Sequence, residues 1–223
     1  GTYESYRVAS DLAGQFDNGI NWDAALSWST TEGERVTNDT YIAGFTAALN
    51  GFGVCTDPIT GNDPATGTQP YAAGYAGSLT AGAGGCEYYN PFSNAIAANG
   101  ITGVANPSYV PGLENTETLA DWLTDGVGTT VTTDLLVFDA SMSGMSGIQA
   151  AGGEVGWGVG MQVRREGYEV VPNDVTNLTL NPGPGGTGPF SFLAGTTPVD
   201  EDQTIYAVFG ELQVPLYEDI DMA

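Results

Sequence analysis

Residues 152–166 read GGEVGWGVGMQVRRE, and their strict period of two constrains the fold more than any other feature of the chain. Val155, Trp157, Val159, Met161 and Val163 fall on one parity; Glu154, Gly156, Gly158, Gly160, Gln162 and Arg164 fall on the other. Side chains alternate across a strand, so this segment is a strand with one apolar face and one polar or glycine face. The glycines imply that something passes close to that second face. A strand of about 10 residues with these two faces is what crossing a bilayer in a tilted barrel requires.

Other segments repeat the pattern. Residues 3–16 place Tyr6, Val8, Leu12 and Phe16 on one parity and Ser5, Arg7, Asp11 and Gln15 on the other. Asp17-Asn18-Gly19 then supplies a tight turn, Asn-Gly being suited to the positive φ of a hairpin. Residues 20–30 alternate again: Ile20, Trp22, Ala24, Leu26 and Trp28 against Asn21, Asp23, Ala25, Ser27 and Ser29. A third strand is expected over 129–142, blurred by the run Leu135, Leu136, Val137, Phe138. The last, over 204–216, has Tyr206, Val208, Leu212, Val214 and Leu216 on one face, with Phe209 as an exception on the other and Pro215 ending it or marking its rim.

Between the strands, connections alternate in length: short at 17–19, long at 31–128, short at 142–151, long at 167–203. Short turns at one end of antiparallel strands and long loops at the other are how outer-membrane barrels are built. A loop of nearly 100 residues is out of place in a compact soluble domain. Within it, short helices are expected over 39–49, with Tyr41, Ile42, Phe45, Ala48 and Leu49 on one face, and over 116–123, behind a Thr/Asn cap. The expected fold class is therefore all-β: an antiparallel transmembrane β-barrel segment of about five strands, with long external loops carrying short helices.

Composition agrees. Only 14% of residues are charged, as expected where lipid replaces charged surface. Acids outnumber bases 27 to 4, with no Lys or His, and the net charge of -23 argues against nucleic acid and anionic membrane surfaces as partners. Acidity of this kind also serves plain solubility, or loops that face a salty exterior. No apolar run approaches the ~20 residues of a membrane helix. The opening GTYESYRVAS has neither the basic region nor the apolar core of a secretion signal, so a mature product or a section of a longer chain is expected. Cys55 and Cys86 suit one disulfide in an oxidising compartment, since a zinc site without His would be poorly supplied.

Taken as a set, CEYYNPFSNAI at 86–96, NPSYVPGLENTETLADWL at 106–123, GGEVGWGVGMQVRREGYEVVPND at 152–174 and AVFGELQVPLYEDIDM at 207–222 resemble the barrel of TonB-dependent outer-membrane receptors of alphaproteobacterial type. The likeness implies a 22-stranded barrel occluded by an N-terminal plug, importing a scarce nutrient (a siderophore, vitamin or carbohydrate) with energy delivered by a TonB-type coupling protein. It also implies residence in the bacterial outer membrane with the long loops extracellular. The chain departs from that family in having no plug, no energy-coupling box near its start and no final strand ending in an aromatic residue. Five strands fall short of the eight that close the smallest barrels, and lipid cannot satisfy open edges. The expectation is a section of a longer receptor, whose remainder is its first partner. The alternative is an acidic, secreted β-rich module assembled through its strand edges.

The candidate site residues follow. Arg7, Asp11, Asp23, Glu154, Gln162 and Arg164 share the inferred lumen face, where they contact substrate or plug, or form a solvated wall. Arg164 and Arg165 beside Glu166 read as a rim ion pair. Tyr88, Tyr89 and Phe92 either stack on a ligand at the barrel mouth or pack the loop around the disulfide. Asp57, Asn62 and Asp63 offer oxygen ligands for a structural calcium, or else simply build turns; no other cofactor is expected. No catalytic constellation is visible: His is absent, both Cys suit a bridge, and no segment brings two carboxylates together. The chain is not expected to be an enzyme.

Overall fold

A computed structural model of the chain describes residues 1–217 and the backbone of 220–222; Glu218, Asp219 and Ala223, which include part of the 207–222 motif, lie outside the described residues. The strands are β1 (Thr2–Gln15), β2 (Asn21–Thr40), β3 (Thr124–Ala150), β4 (Gly153–Pro172), β5 (Val199–Tyr217) and the three-residue β6 (Ile220–Met222). They form one sheet in the order β1-β2-β3-β4-β5-β6, each strand beside its sequence neighbours. The sheet is antiparallel and open, so the all-β class is as expected.

The strands run longer than their hydrophobic patterns. β2 continues ten residues past Thr30 through the polar TEGERVTNDT, β3 begins at Thr124 rather than 129 and runs on to Ala150, and β5 begins at Val199 rather than 204. The expected turn at 142–151 shrinks to Ala151 and Gly152, and the long connections shrink to 41–123 and 173–198. The cause is physical: alternation in hydropathy records what a strand's two faces touch. Where both faces are polar the backbone ladder continues without leaving a periodic trace.

In the first hairpin, Phe16 N–H donates to Ile20 O (2.9 Å) and Gly19 N–H to Phe16 O (2.9 Å), closing a three-residue loop with a positive φ at Gly19 alone (83°). Asn18 instead uses its Oδ1 to accept from Ile20 N–H at 3.2 Å. Pro215 lies inside β5, opposite Asp221 of β6, where the register shifts before Tyr217.

The chain divides into two compact units: residues 1–34, 130–171 and 199–223, a sheet unit, and residues 35–129 and 172–198, a loop unit. The loop unit holds α1 (Ile42–Leu49) and α2 (Glu117–Leu123). The helix expected from Asp39 starts three residues later, because Asp39 and Thr40 still belong to β2. α2 is capped as expected, Thr116 Oγ1 accepting from Leu119 N–H at 3.0 Å, with Leu119 and Leu123 buried. Around Ala47, Phe52 and Cys86 the unit has its own small core, onto which Cys55, Tyr71, Leu79 and Trp122 pack. Cys55 and Cys86 are disulfide-bonded, their Cα atoms 4.9 Å apart across 31 residues.

Candidate functional site: the two faces of the sheet

Register fixes which residues share a face. In the first hairpin Val8 stands opposite Trp28, Leu12 opposite Ala24 and Gly14 opposite Trp22. In the β4–β5 pair Trp157 stands opposite Leu212, Met161 opposite Val208 and Val163 opposite Tyr206. β3 is placed by its hydrogen bonds. Asp139 accepts from Gln162 Nε2 (2.7 Å) and Ser141 donates to Asp23, so both lie on the polar face. Alternation then puts Leu136, Phe138 and Met142 on the apolar face, and Leu135 and Val137 on the polar one. The blur in the β3 sequence is thus two aliphatics on the polar face of a regular strand.

The apolar face is open. Val208 is 84% exposed, Tyr206 76% and Leu12 69%. An uncovered apolar sheet face in water would lose on the order of 1.5 to 3 kcal/mol per large side chain relative to burial. Toward the end where the long connections leave, every strand turns charged within a few neighbouring rows. Tyr6 and Thr30 give way to Glu4 opposite Glu32, Leu136 to Asp134, and Val163 and Tyr206 to Arg165 opposite Thr204 and then to Asp202. Gly167, on β4 one row beyond Arg165, lies against Asp134: a Cβ built on it would be 3.5 Å from the aspartate Cβ. Arg165 Nε pairs with Asp202 Oδ2 at 3.3 Å on this charged row. A recess of about 500 Å³ opens there, lined by Trp28, Leu136 and Tyr168 beside Asp134, Asp200 and Asp202.

Aromatic residues mark both edges of the apolar band. Trp22 and Trp157 stand near the short turns; Trp28, Tyr6 and Tyr206 stand just below the charged row. From Trp22 to Trp28, and from Trp157 to the Val163–Tyr206 pair, is six residues, or about 20 Å along the strand.

The polar face holds all six of the lumen-face candidates. Arg7 is opposite Ser29, Asp11 opposite Ala25, and Asp23 opposite Ala13. Asp23 meets Ser141 and Gln162 meets Asp139 across neighbouring strands, so these two are brought into a polar ladder. Glu154 lies apart, near the short turn, accepting from Gly147 N–H at 2.6 Å. Arg164 Nε sits 2.9 Å from Glu166 Oε1 without hydrogen-bond geometry, and Gln203 Nε2 donates to the other Glu166 oxygen at 2.6 Å. Of the expected rim group, Arg164 pairs with Glu166 on the polar side, whereas Arg165 faces the apolar side and pairs with Asp202. The β4 glycines are covered by the opposite strand. Phe209 lies over Gly160 and Glu211 over Gly158, each directly opposite in register. The ring that looked misplaced on the polar face of β5 fills the gap a missing side chain leaves.

In the loop unit, Tyr89 packs against Phe45 with ring centroids 5.2 Å apart, and the Tyr88 ring lies over Gly51 and Gly82. Phe92 points into solvent, 71% exposed, so the three aromatics do not converge. Asp57 Oδ1 accepts from the Thr60 amide and hydroxyl, both at 2.8 Å. Asp63 is buried and accepts from Ala65 N–H (2.9 Å) and the Tyr75 hydroxyl (2.6 Å). The Tyr75 and Ala65 hydrogen bonds hold the Asp63 carboxyl below its usual range. Both carboxylates are thus engaged by turn donors, and among the described residues no three acidic or thiol groups cluster as a metal site.

Two polar anchors of the loop unit leave no sequence signal. Buried Asp39 accepts from Phe192 N–H (2.9 Å) and Leu193 N–H (2.7 Å), more than 150 residues away. Thr176, fully buried, donates to Gly128 O at 2.9 Å. Tyr41 stacks on Phe190 at 4.8 Å and donates to Asp125 at 2.8 Å; burial first, and then that carboxylate, push its hydroxyl well above the usual tyrosine range. No family model, curated protein or solved structure matches the chain.

Proposed function

We propose that this chain forms part of the wall of an outer-membrane, TonB-dependent-type receptor for energy-coupled uptake of a scarce nutrient. The observation that carries the membrane half is the band on the apolar face. Five adjacent strands present exposed apolar side chains between aromatic edges, and all change to charge within a few neighbouring rows. A bilayer solvates such a band and demands that the backbone be paired within the sheet. The charged row and the long connections then stand outside the membrane. The polar face with Arg7, Asp23, Asp139 and Gln162 lines the lumen, beside plug or substrate. Transport and energy coupling rest on the four motifs that resemble the receptor family.

An open sheet has two unpaired edges, and a membrane wall of this kind closes with eight or more strands. The remaining strands and the plug come from further receptor sequence in this account. The test is the mass and location of the native polypeptide. A product several times 23.0 kDa, extracted from the outer-membrane fraction only by detergent and containing these residues, is expected. A species of 23.0 kDa, soluble without detergent, would rule out the transporter role. It would favour the second reading, a secreted, edge-assembled module.

A further inference from the structure

The sequence holds three Asn-Gly pairs, at 18–19, 50–51 and 99–100. In such a pair the glycine amide nitrogen can attack the asparagine side-chain carbonyl carbon, because no Cβ obstructs its approach. The fold treats the three pairs differently. Gly19 N–H donates to Phe16 O at 2.9 Å and Gly51 N–H to Ala48 O at 3.0 Å. Gly51 is also buried beneath the Tyr88 ring, and Asn50 Nδ2 donates to Thr46 O at 2.8 Å. Asn99 and Gly100, in the loop unit, are both exposed, and the Gly100 amide has no hydrogen-bond partner among the described residues. A Cβ built on Gly100 would meet nothing within 4 Å. Asn99 Oδ1 accepts from Ile101 N–H and Thr102 N–H, both at 2.9 Å. Both partners are donors, which fixes that atom as the amide oxygen.

We infer that Asn99 is a site of spontaneous deamidation, the one Asn-Gly pair of the three that the fold leaves reactive. The Gly100 nitrogen gives its proton to hydroxide and bonds to Asn99 Cγ. Negative charge develops on Oδ1, where two backbone N–H groups already point, as in an oxyanion hole. The Cγ–Nδ2 bond then breaks, and the departing nitrogen takes a proton from water and leaves as ammonia. Water opens the resulting succinimide ring at one carbonyl or the other, to aspartate or isoaspartate at position 99. Aspartate keeps the turn, since its carboxylate accepts from the same two amides. Isoaspartate lengthens the main chain by one carbon, and so disturbs the turn in which Asn99 N–H donates to Val104 O and Gly103 N–H to Asn99 O. Either product puts a negative charge into residues 88–113, which carry no charged side chain, beside the almost wholly exposed Ile101. The chemistry is confined to the loop unit and does not depend on the receptor reading.

The test is peptide mapping by mass spectrometry of the native protein, isolated intact and incubated at mildly alkaline pH. Asn99 is expected to deamidate about fivefold or more faster than Asn18 and Asn50, which must first break a backbone hydrogen bond at the attacking nitrogen. In urea that unfolds the chain, the three rates are expected to converge. Gly100 lies outside the positive-φ region and its Cβ position is empty, so Gly100→Ala keeps the turn while crowding the attack. That variant is expected to slow Asn99 and leave Asn18 and Asn50 unchanged, with circular dichroism checking its fold. Asn99 reacting no faster than the other two in the native protein, keeping the same lead in urea, or reacting undiminished in Gly100→Ala would overturn the inference.

Discussion

Placing arginine at successive depths along β4 separates lipid contact from exposure to water. Val159 is central in the apolar band between Val155 and Val163, and 45% exposed. From Val159 to the native Arg165 is six residues, about 20 Å of strand, or about 14 Å of depth at a 45° tilt. That is about half the height of a barrel's apolar band, so Arg165 falls at the interface and Val159 near the midplane. Val159→Arg should then cost about 2 to 4 kcal/mol, Met161→Arg less, and Val163→Arg about 0 to 1 kcal/mol, approaching the level where arginine is native. On the polar face Ala207→Arg, opposite Gln162 and one residue along from the depth of Met161, should cost little. Were the same face in water, every one of these changes would stay within the ~1 kcal/mol span of strand preference. Urea-driven unfolding of the intact protein in vesicles reads the series. A flat profile along the strand, or an Ala207→Arg cost equal to that of Val159→Arg, would refute the reasoning.

Three further outcomes follow from the loop unit. Replacing Cys86 by serine opens the 31-residue loop and should cost roughly 3 to 4 kcal/mol in the chain-entropy account, read as earlier unfolding of the loop unit by near-ultraviolet circular dichroism with the strand signal intact. Asp39→Ala strands the Phe192 and Leu193 amides and should cost about 2 to 3 kcal/mol, with hydrogen exchange rising first at those two amides. Because Asp63 titrates below its ordinary value in the fold, its contribution is fully present above the unfolded aspartate value of 3.8 and is lost as pH falls below it toward the lowered one. Asp63→Asn should flatten that acid limb of the stability curve, and an unchanged limb would contradict the assignment.

The apolar half of each strand was legible because lipid-type and polar faces alternate there. Trp157 and Met161 against Gly158 and Gln162 already give the register that pairing with Leu212 and Val208 completes. The polar halves were not, since residues such as Thr31 to Thr40 put similar chemistry on both faces. Leu135 and Val137 misled because they lie on the polar side, and Phe209 because its role depends on Gly160 in another strand. Asp39 looked like a helix start from its neighbours; its true partners lie in the second long connection, a pairing no local pattern encodes. Thr116 was readable as a cap because its partner, Leu119, is three residues away. Local chemistry shows in sequence, and long-range hydrogen bonding within loops does not.

The central claim, that one face of this sheet meets lipid and the other water, is tested most directly by collision accessibility of spin labels. Single labels at 159, 161, 163, 165, 202, 207, 208 and 209 in the membrane-reconstituted protein would be read against oxygen and a water-soluble nickel complex. The account predicts oxygen access at 159, 161, 163 and 208, nickel access at 207 and 209, and a switch to nickel at 165 and 202. Nickel access at 159 and 208 equal to that at 207 would contradict it.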